Sequence, residues 1–343
     1  MCAAWQSYEL APGGSADPGS GVAAVSRIDG SMELWWTGRS GSVEGAYWYD
    51  GHPWNRYQLA PDNSAADNGG LAAVSRIDGS MEVWWTGPGG SVEGAYWYEG
   101  QPWTRYQLAP NGSARAGSAL TAVSRIPGSM EVWWTGRSGS VEGAYWYDGH
   151  PWNRYQLAPD NSAADNGGLA AVSRIDGSME VWWTGRGGSV EGAYWYDGHP
   201  WNRYRLAPDN SASVVGGITA VSRIPGSMEL WWPGGNGSVE GAYWYEGQPW
   251  NRYQLAPDNS ADRGTSLASV SRIPGSMELW WAGGGGSAEG AYWYEGQPWG
   301  RYRLAGDNSA SGAGFAALAR IPGSMEVWWT GRNEGIKGAY WYE

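Results

Sequence analysis

Four side chains with the chemistry of molecular recognition recur together along this sequence at a fixed spacing. Arg27 is followed by Glu33, Trp35 and Trp48, and the same four residue types return in each of seven repeats. An arginine donates hydrogen bonds in a planar fork, a glutamate accepts them at two oxygens, and an indole offers an apolar face and one N–H donor. Hydrogen bonds that involve a charged group are the stronger kind. The pattern indicates a site for a small neutral ligand with hydroxyl groups and an apolar face, as a pyranose has.

The candidate carbohydrate-binding residues are the seven copies of this set. They are Arg27, Glu33, Trp35, Trp48, Arg76, Glu82, Trp84, Trp97, Arg125, Glu131, Trp133, Trp146, Arg174, Glu180, Trp182, Trp195, Arg223, Glu229, Trp231, Trp244, Arg272, Glu278, Trp280, Trp293, Arg320, Glu326, Trp328 and Trp341. A structural role is the alternative, because most aromatic side chains in strands pack against their neighbours. The tryptophans would then only fill space between sheets, and the arginine and glutamate would form an ion pair. Composition and period leave both interpretations open.

No catalytic group stands out in the sequence. The three histidines share one turn position, at which three other repeats carry glutamine: His52, His150 and His199 against Gln101, Gln248 and Gln297. A general base must be both positioned and titratable, and glutamine does not titrate. Ser26 has no histidine or aspartate companion at a fixed spacing that would activate it as a nucleophile. We therefore expect a protein that is not an enzyme.

Metal and cofactor sites are equally hard to place. Asp62, Asn63, Asp67 and Asn68 crowd one loop, but the third repeat reads Asn-Gly-Ser-Ala-Arg-Ala-Gly at 111–117 and lacks these acidic ligands. Calcium needs six or more oxygens in a defined arrangement, so turns stabilised by Asn and Asp side chains explain the loop better. We expect neither a metal nor a cofactor.

The period of the repeat defines the elements that must position these residues. The Arg-Ile pair recurs with its arginine at 27, 76, 125, 174, 223, 272 and 320, which gives five spacings of 49 residues and a last one of 48. Each unit contains four short segments rich in Val, Ile, Tyr and Trp, and turn residues bound each segment, which is typical of antiparallel strands. Four-stranded units at a period in the 40s are typical of propeller blades. The sequence predicts an all-β, seven-bladed β-propeller.

The two ends of the chain predict how the ring closes. Residues 5–12 match the fourth strand of a unit at 54–61, whereas the chain ends after a third strand. We expect the N-terminal strand to complete the last blade, which gives four antiparallel strands to every blade of a single domain, 1–343. The predicted blades span about 20–62, 69–111, 118–160, 167–209, 216–258, 265–307, and 314–343 together with 3–12.

The faces of each blade follow if its first turn is a two-residue turn at 29–30 and its second turn covers 38–41. The two predicted faces are then Glu33, Trp35, Glu44, Ala46 and Trp48 against Arg27, Met32, Leu34, Trp36, Val43, Tyr47 and Tyr49. Every crevice between blades should present Arg and Tyr from one blade and Glu and Trp from the next. A shift of one residue would reverse the assignment.

One repeat departs from the others at a second glutamate position. Glu44 has a copy in each of the next five units, and the last unit has Lys337 instead. The position is therefore either exposed and permissive, or the seventh site differs from the rest.

Charge and composition restrict the partners. A net charge of −12 repels nucleic-acid phosphates and anionic lipids, and neutral sugars stay open as ligands. No signal peptide is visible and no stretch is long and apolar enough to span a bilayer, so we expect a soluble protein made in the cytoplasm, without membrane insertion. Release from the cell is left open. The single cysteine, Cys2, excludes an internal disulfide but could join two chains, so the oligomeric state also stays open.

The repeat resembles the blade of a known lectin family. The motif Ser-Arg-Ile-Pro-Gly-Ser-Met-Glu-Val-Trp-Trp at 124–134 combines with Gly-Ser-Val-Glu-Gly-Ala-Tyr-Trp-Tyr-Glu-Gly and Trp-Asn-Arg-Tyr-Gln-Leu-Ala-Pro. Together they are similar to the seven-bladed fucose-binding lectins of the Photorhabdus type, over the whole chain. More distantly, they resemble the six-bladed fungal fucose lectins, whose sites lie between blades and use Arg, Glu and Trp. The resemblance implies repeated sites for L-fucose, extending to galactose-type or O-methylated sugars, and recognition of host or cell-surface glycans.

We therefore expect a multivalent lectin with up to seven equivalent sites, whose partners are glycans or glycoconjugates, in particular fucosylated ones. A protein-binding scaffold is the alternative, because propellers are also interaction platforms and aromatic and Arg side chains anchor protein interfaces too. Sequence symmetry argues against it, since a protein partner normally contacts an asymmetric patch. An enzyme at the central channel would need one blade with a unique cluster of acid, base or metal ligands, and the repeats contain none.

Overall fold

The four segments of each repeat form the four strands of one antiparallel sheet. The computed structural model describes residues 4–343, which form 28 strands in seven such sheets. The strands are β1 (Gln6–Ala11), β2 (Val22–Val25), β3 (Ser31–Thr37), β4 (Val43–Tyr49), β5 (Asn55–Ala60), β6 (Leu71–Val74), β7 (Ser80–Thr86), β8 (Val92–Tyr98), β9 (Thr104–Ala109), β10 (Leu120–Val123), β11 (Ser129–Thr135), β12 (Val141–Tyr147), β13 (Asn153–Ala158), β14 (Leu169–Val172), β15 (Ser178–Thr184), β16 (Val190–Tyr196), β17 (Asn202–Ala207), β18 (Thr219–Val221), β19 (Ser227–Pro233), β20 (Val239–Tyr245), β21 (Asn251–Ala256), β22 (Leu267–Val270), β23 (Ser276–Ala282), β24 (Ala288–Tyr294), β25 (Gly300–Ala305), β26 (Phe315–Leu318), β27 (Ser324–Thr330) and β28 (Ile336–Tyr342).

The seven sheets are blades arranged in a closed ring. The first strands of neighbouring blades contact one another in sequence, from β2 and β6 around to β26, which contacts β2 again. These short strands therefore surround the centre of the ring, and the later strands of each blade lie outside them. The predicted all-β, seven-bladed propeller is confirmed. Residues 4–343 include no helix with the length and apolar character needed to cross a membrane.

The N-terminal strand closes the ring as predicted. β1 pairs antiparallel with β28, and the sheet order of the last blade is β1-β28-β27-β26. Gln6 lies opposite Tyr340, and Tyr8 lies opposite Gly338. The Tyr8 hydroxyl donates to Glu326 Oε1 at 2.5 Å, as the corresponding tyrosine does in the other blades. The last blade is thus built from both ends of the chain.

The seam of the ring carries a reversed polar pair. In the first blade Gln58 of β5 donates to Glu44 of β4 at 3.2 Å, and a Gln or Arg makes the same contact in five further blades. In the last blade Lys337 of β28 instead donates to Glu9 of β1. The acid and its donor have exchanged strands at the seam. Lys337 is therefore a paired residue, and its partner is the N-terminal strand.

The first turn of each blade is tight, but the register beyond it differs from the prediction. The amide of Ser31 donates to the carbonyl of Ile28 at 3.0 Å, which closes the turn at 29–30 as predicted. Glu33, however, lies opposite Val25, where the predicted register placed Ser26. Between the turn and this residue pair, the β2 side of the hairpin therefore has one residue more than the β3 side.

That extra residue produces a bulge. Ser26 and Arg27 separate Val25 from Ile28, whereas only Met32 separates Glu33 from Ser31, and the Ser26 hydroxyl donates to the Ile28 carbonyl at 2.9 Å. A bulge interrupts the alternation of side chains and re-aims them. The prediction that Arg27 lies on the face opposite Glu33 is wrong for this reason.

The second turn is one residue longer than predicted. It covers 38–42 and includes a glycine with a φ of 72°. As a result Trp48 lies opposite Met32, and Tyr47 lies opposite Glu33. Residues directly opposite each other share a face. The predicted faces are therefore wrong for Glu44, Ala46 and Trp48, which join Met32, and for Val43, Tyr47 and Tyr49, which join Glu33.

The hydrophobic core lies between the blades. Trp35 and Trp36 are 0% and 1% exposed and lie on opposite faces of their sheet. Trp35 packs in one cluster with Met81 of the second blade, whereas Trp36 packs in another with Trp328 of the last blade. Burying an aromatic side chain of this kind stabilises the fold by roughly 2–3 kcal/mol. Each crevice is therefore lined by the Glu33 face of one blade and the Met32 face of the next.

Candidate functional site

Arg27 extends from the bulge of the first blade to the second blade. Its Nη1 donates to the carbonyl oxygen of Asp78 at 2.9 Å, and its Nη2 donates to the Tyr49 hydroxyl at 3.3 Å. The guanidinium carbon lies 5.1 Å from the ring centre of Trp97 and 5.7 Å from that of Tyr49. Such cation–π contacts stabilise by roughly 0.5–2 kcal/mol. We define the Arg27 crevice by Arg27, Glu33 and Tyr49 of one blade and Trp97 of the next, and name the other crevices by their arginines.

The same arrangement recurs in all seven crevices. Each guanidinium carbon lies 4.8–5.1 Å from a tryptophan ring of the next blade. Each Nη1 donates to a backbone carbonyl of that blade at 2.6–2.9 Å. Arg320 makes these contacts across the seam, with Trp48 and the carbonyl of Asp29. The side chains of Arg76 and Arg272 are only 9% and 6% exposed, so the arginine forms a fixed wall of the crevice.

Glu33 lies in the same crevice and is nearly buried. It is 6% exposed, and its Oε1 accepts a hydrogen bond from the Tyr57 hydroxyl. Trp35 Nε1 donates to the same hydroxyl at 2.9 Å, and Trp103 of the next blade packs edge-on against Trp35 with ring centres 5.8 Å apart. These contacts fix the position of the carboxyl group.

Burial also changes the acidity of this carboxyl group. Desolvation raises the pKa of Glu33 from 4.5 to about 7, although the Tyr57 hydrogen bond and the charge of Arg27 both favour the ionised form. The pKa of the corresponding glutamate is raised to about 7 in every other blade. Burial and the neighbouring Glu33 charge raise the pKa of Tyr57 well above its usual range, so the phenol stays protonated and donates. Near neutral pH the site can therefore hold either a carboxylate or a carboxylic acid.

The seven crevice arginines lie at the same end of the ring. In the first blade the amide of Asp50, just after β4, donates to the carbonyl of Gly30 in the first turn at 3.0 Å, and every other blade repeats this bond. The bulges that carry the arginines lie in these same first turns. A cavity of about 510 Å³ at this end is lined by Arg27, Asp78 and Arg320 among others, so a ligand can reach these two arginines from solvent.

The four predicted residues of one repeat do not all lie in the same crevice. Arg27 and Glu33 do share a crevice, but both come from the same blade. The prediction that each crevice combines an arginine from one blade with a glutamate from the next is therefore wrong. Trp48 lies in the Arg320 crevice, and Trp97 takes its place beside Arg27. Trp35 is fully buried and its N–H is bonded to Tyr57, so it supports the site from behind. A sugar-binding role for the set remains a prediction.

Two contributors were missed from the sequence although their pattern was available. They are Tyr57 and Trp54, which each recur in every repeat, with Tyr8 and Trp5 as the copies in the N-terminal strand. Trp54 packs edge-on against Trp328 as its copy Trp103 does against Trp35. Their regularity equals that of Arg27, but their partners lie on another strand or another blade. A spacing within one repeat does not show such contacts.

The remaining sequence candidates, a metal site, the histidines and Cys2, have these outcomes. Within residues 4–343, no group of three or more His, Cys, Asp or Glu side chains is placed to hold a metal ion. His52 is exposed in the turn after β4. Cys2, the candidate for pairing two chains, lies outside the described residues.

Comparison with known proteins finds solved structures with a similar fold. No protein-family model matches the chain, and the curated proteins contain no significant match. The BP39L lectin from Burkholderia pseudomallei superimposes with a TM-score of 0.88 at 19% identity, over 97% of this chain and 99% of that chain. The fungal Aleuria aurantia lectin, described as a six-bladed β-propeller with a novel fucose recognition mode, gives a TM-score of 0.61 at 18% identity, over 85% and 96% of the two chains. The SapL1 lectin in complex with α-methyl fucoside gives 0.62 at 16% identity, over 85% and 97%. These likenesses show a fold shared with carbohydrate-binding lectins.

Proposed function

We propose that this chain is a multivalent lectin that binds neutral sugars, with L-fucose as the preferred monosaccharide, in the seven crevices between its blades. The observation that carries the proposal is the sevenfold repetition of one arrangement: an arginine clamped against an aromatic ring beside a buried glutamate. The chain is proposed to act by binding, without catalysis.

The chemistry of the crevice suits a polyhydroxylated ring. Arg27 has five N–H donors, and two of its nitrogens already hold fixed protein partners, which sets the direction of the remaining donors. Tyr57 engages one oxygen of Glu33, and the second oxygen is left to accept from a sugar hydroxyl. Trp97 and Tyr49 supply apolar surface for the C–H groups of the sugar. The site therefore offers donor, acceptor and apolar surface within one small space.

Two kinds of support point to sugars. The structural neighbours are lectins, and the descriptions of two of them name fucose or a fucoside. The crevices also repeat around the ring with nearly constant geometry, which a single asymmetric protein partner would not require. A protein-binding scaffold therefore explains the regularity less well.

A glycan array with free L-fucose as competitor tests the proposal directly. We expect retention on fucosylated glycans that is lost when L-fucose is added. Each site should bind free sugar weakly, because a small polar ligand buries little apolar area and must lose its hydration. Display on a surface should raise the avidity by about 10²–10⁴ without new contacts. No retention on any fucosylated glycan, or retention that free L-fucose leaves unchanged, would contradict the proposal.

A further inference from the structure

The acid at the mouth of each crevice differs from blade to blade. It is the residue that follows the third strand of the blade opposite the arginine, and we call it the rim acid. The rim acids are Asp50, Glu99, Asp148, Asp197, Glu246, Glu295 and Glu343. The amide of each donates to a glycine carbonyl in its own blade at 2.9–3.0 Å, so the backbone holds all seven in the same position. The differences between crevices therefore arise from the side chains.

Four of the rim acids lie close to the crevice arginine. The Asp148 carboxylate is 3.7 Å from Nη1 of Arg76. Three further pairs share this contact at 3.6–3.7 Å: Asp50 with Arg320, Asp197 with Arg125, and Glu343 with Arg272. In the described part of the chain the other three pairs have no nitrogen–oxygen contact within 4.0 Å: Glu99 with Arg27, Glu246 with Arg174, and Glu295 with Arg223. The crevices thus fall into a close set and an open set.

The close contact is suited to a bridging hydroxyl group. A direct N–H···O hydrogen bond spans about 2.7–3.2 Å, so the 3.7 Å between Arg76 and Asp148 leaves room for one oxygen atom within bonding distance of both groups. A sugar hydroxyl at that point accepts from the guanidinium and donates to the carboxylate. The Asp148 side chain is 65% exposed, so an incoming ligand can reach it. A more distant glutamate must first be ordered, at a cost in rotamer entropy.

We propose that the rim acid is a specificity-determining residue that divides the seven crevices into two affinity classes. This inference rests on the proposed function. The four close crevices bind a monosaccharide about threefold or more tightly than the open crevices of Arg27, Arg174 and Arg223, since a partly exposed, charge-assisted hydrogen bond contributes on this order.

Crystals soaked in graded concentrations of methyl α-L-fucoside test the inference, because sugar occupancy is read separately at each crevice. We expect the four close crevices to fill first. Equal filling of all seven crevices at every concentration would overturn the inference and leave the proposed function standing. Absence of sugar from all seven crevices would instead overturn the proposed function and this inference with it.

Reciprocal variants separate the rim acid from other differences between blades, such as the His or Gln two residues later. Glu99→Asp should move the Arg27 crevice into the group that fills first, because all three aspartates lie close to their arginines. Asp148→Asn should move the Arg76 crevice into the group that fills last, because the amide removes the charge that strengthens the hydrogen bond. Both side chains are exposed and both backbones keep their hydrogen bond, so the fold should be retained. An unchanged order of filling in both variants would show that the rim acid does not set the affinity.

Discussion

The seven buried glutamates should make the propeller less stable as the pH rises from about 5 to 8. The pKa of Glu33 is raised from 4.5 to about 7 because burial disfavours the charged form. The folded state therefore binds this proton more tightly than the unfolded chain does. The resulting stabilisation is complete below pH 4.5 and is lost as the pH rises through 7. One pKa unit is worth about 1.36 kcal/mol, so one such glutamate lowers the free energy of unfolding by about 3 kcal/mol across this range.

The variant Glu33→Gln isolates one of the seven contributions. The amide has nearly the same volume and its oxygen still accepts from Tyr57, but it cannot ionise. Relative to the unchanged protein, we expect the variant to gain about 3 kcal/mol in the free energy of unfolding between pH 5 and pH 8. The gain should appear mainly between pH 5 and pH 7, because in this range the unfolded chain has released the proton and the folded Glu33 still holds it.

Urea denaturation followed by tryptophan fluorescence at pH 5, 6, 7 and 8 measures this difference. Glu99→Gln is the matched control, because Glu99 is exposed and its loss should leave the pH profile unchanged. Parallel profiles for Glu33→Gln and the unchanged protein would refute the reasoning, since they would show that the Glu33 carboxyl does not titrate differently in the folded and unfolded states.

Three further outcomes test the seam and the crevice. Lys337→Glu should lower the free energy of unfolding by about 1 kcal/mol, because it places two carboxylates opposite each other, and the added change Glu9→Gln should restore it by recreating the pair of the other blades. Urea melts of both variants check this, and equal stability of all three proteins would show that the seam pair contributes nothing. Removal of residues 1–12 should lower Tm by about 10 °C or more, because it exposes the edge of β28; a Tm equal to that of the intact protein would argue against closure by β1. Arg27→Lys should lower the calorimetric stoichiometry of methyl α-L-fucoside by one site with little change in Tm, because the lysine ammonium cannot donate to the Asp78 carbonyl and the Tyr49 hydroxyl in the geometry of a guanidinium. An unchanged stoichiometry would show that the sugar binds elsewhere.

The fold and its closure could be predicted because they depend on features that repeat along the chain. A fixed period, four strand-like segments to a unit, and a fourth-strand motif displaced to the N-terminus are enough to specify seven blades and a seam. Each of these features is local or appears many times, so a small error in one turn does not change the result.

The side-chain faces could not be predicted, because they depend on single residues. One extra residue at Ser26 and Arg27, and one in the turn at 38–42, each shift the side-chain alternation by a full step. A turn rich in Gly and Ser gives little indication of its length. The network of Trp35, Tyr57 and Glu33 was missed for a related reason, since it joins β3 to β5, which do not pair directly, and their relative register depends on the turns before and after β4.

The bulge that makes the predicted face of Arg27 wrong also affects how many sites the ring can have. It directs Arg27 away from its own sheet to Trp97 of the next blade, so no single blade contains a complete crevice. Seven blades in an open array would form only six crevices, and the seventh, in which Arg320 meets Trp48, exists only because the ring is closed. In that crevice Glu326 is held by Tyr8 of β1, where other blades use a tyrosine of their own fourth strand. Closure and valency are therefore coupled: loss of β1 should weaken the Arg320 crevice first, even where the other six blades stay folded.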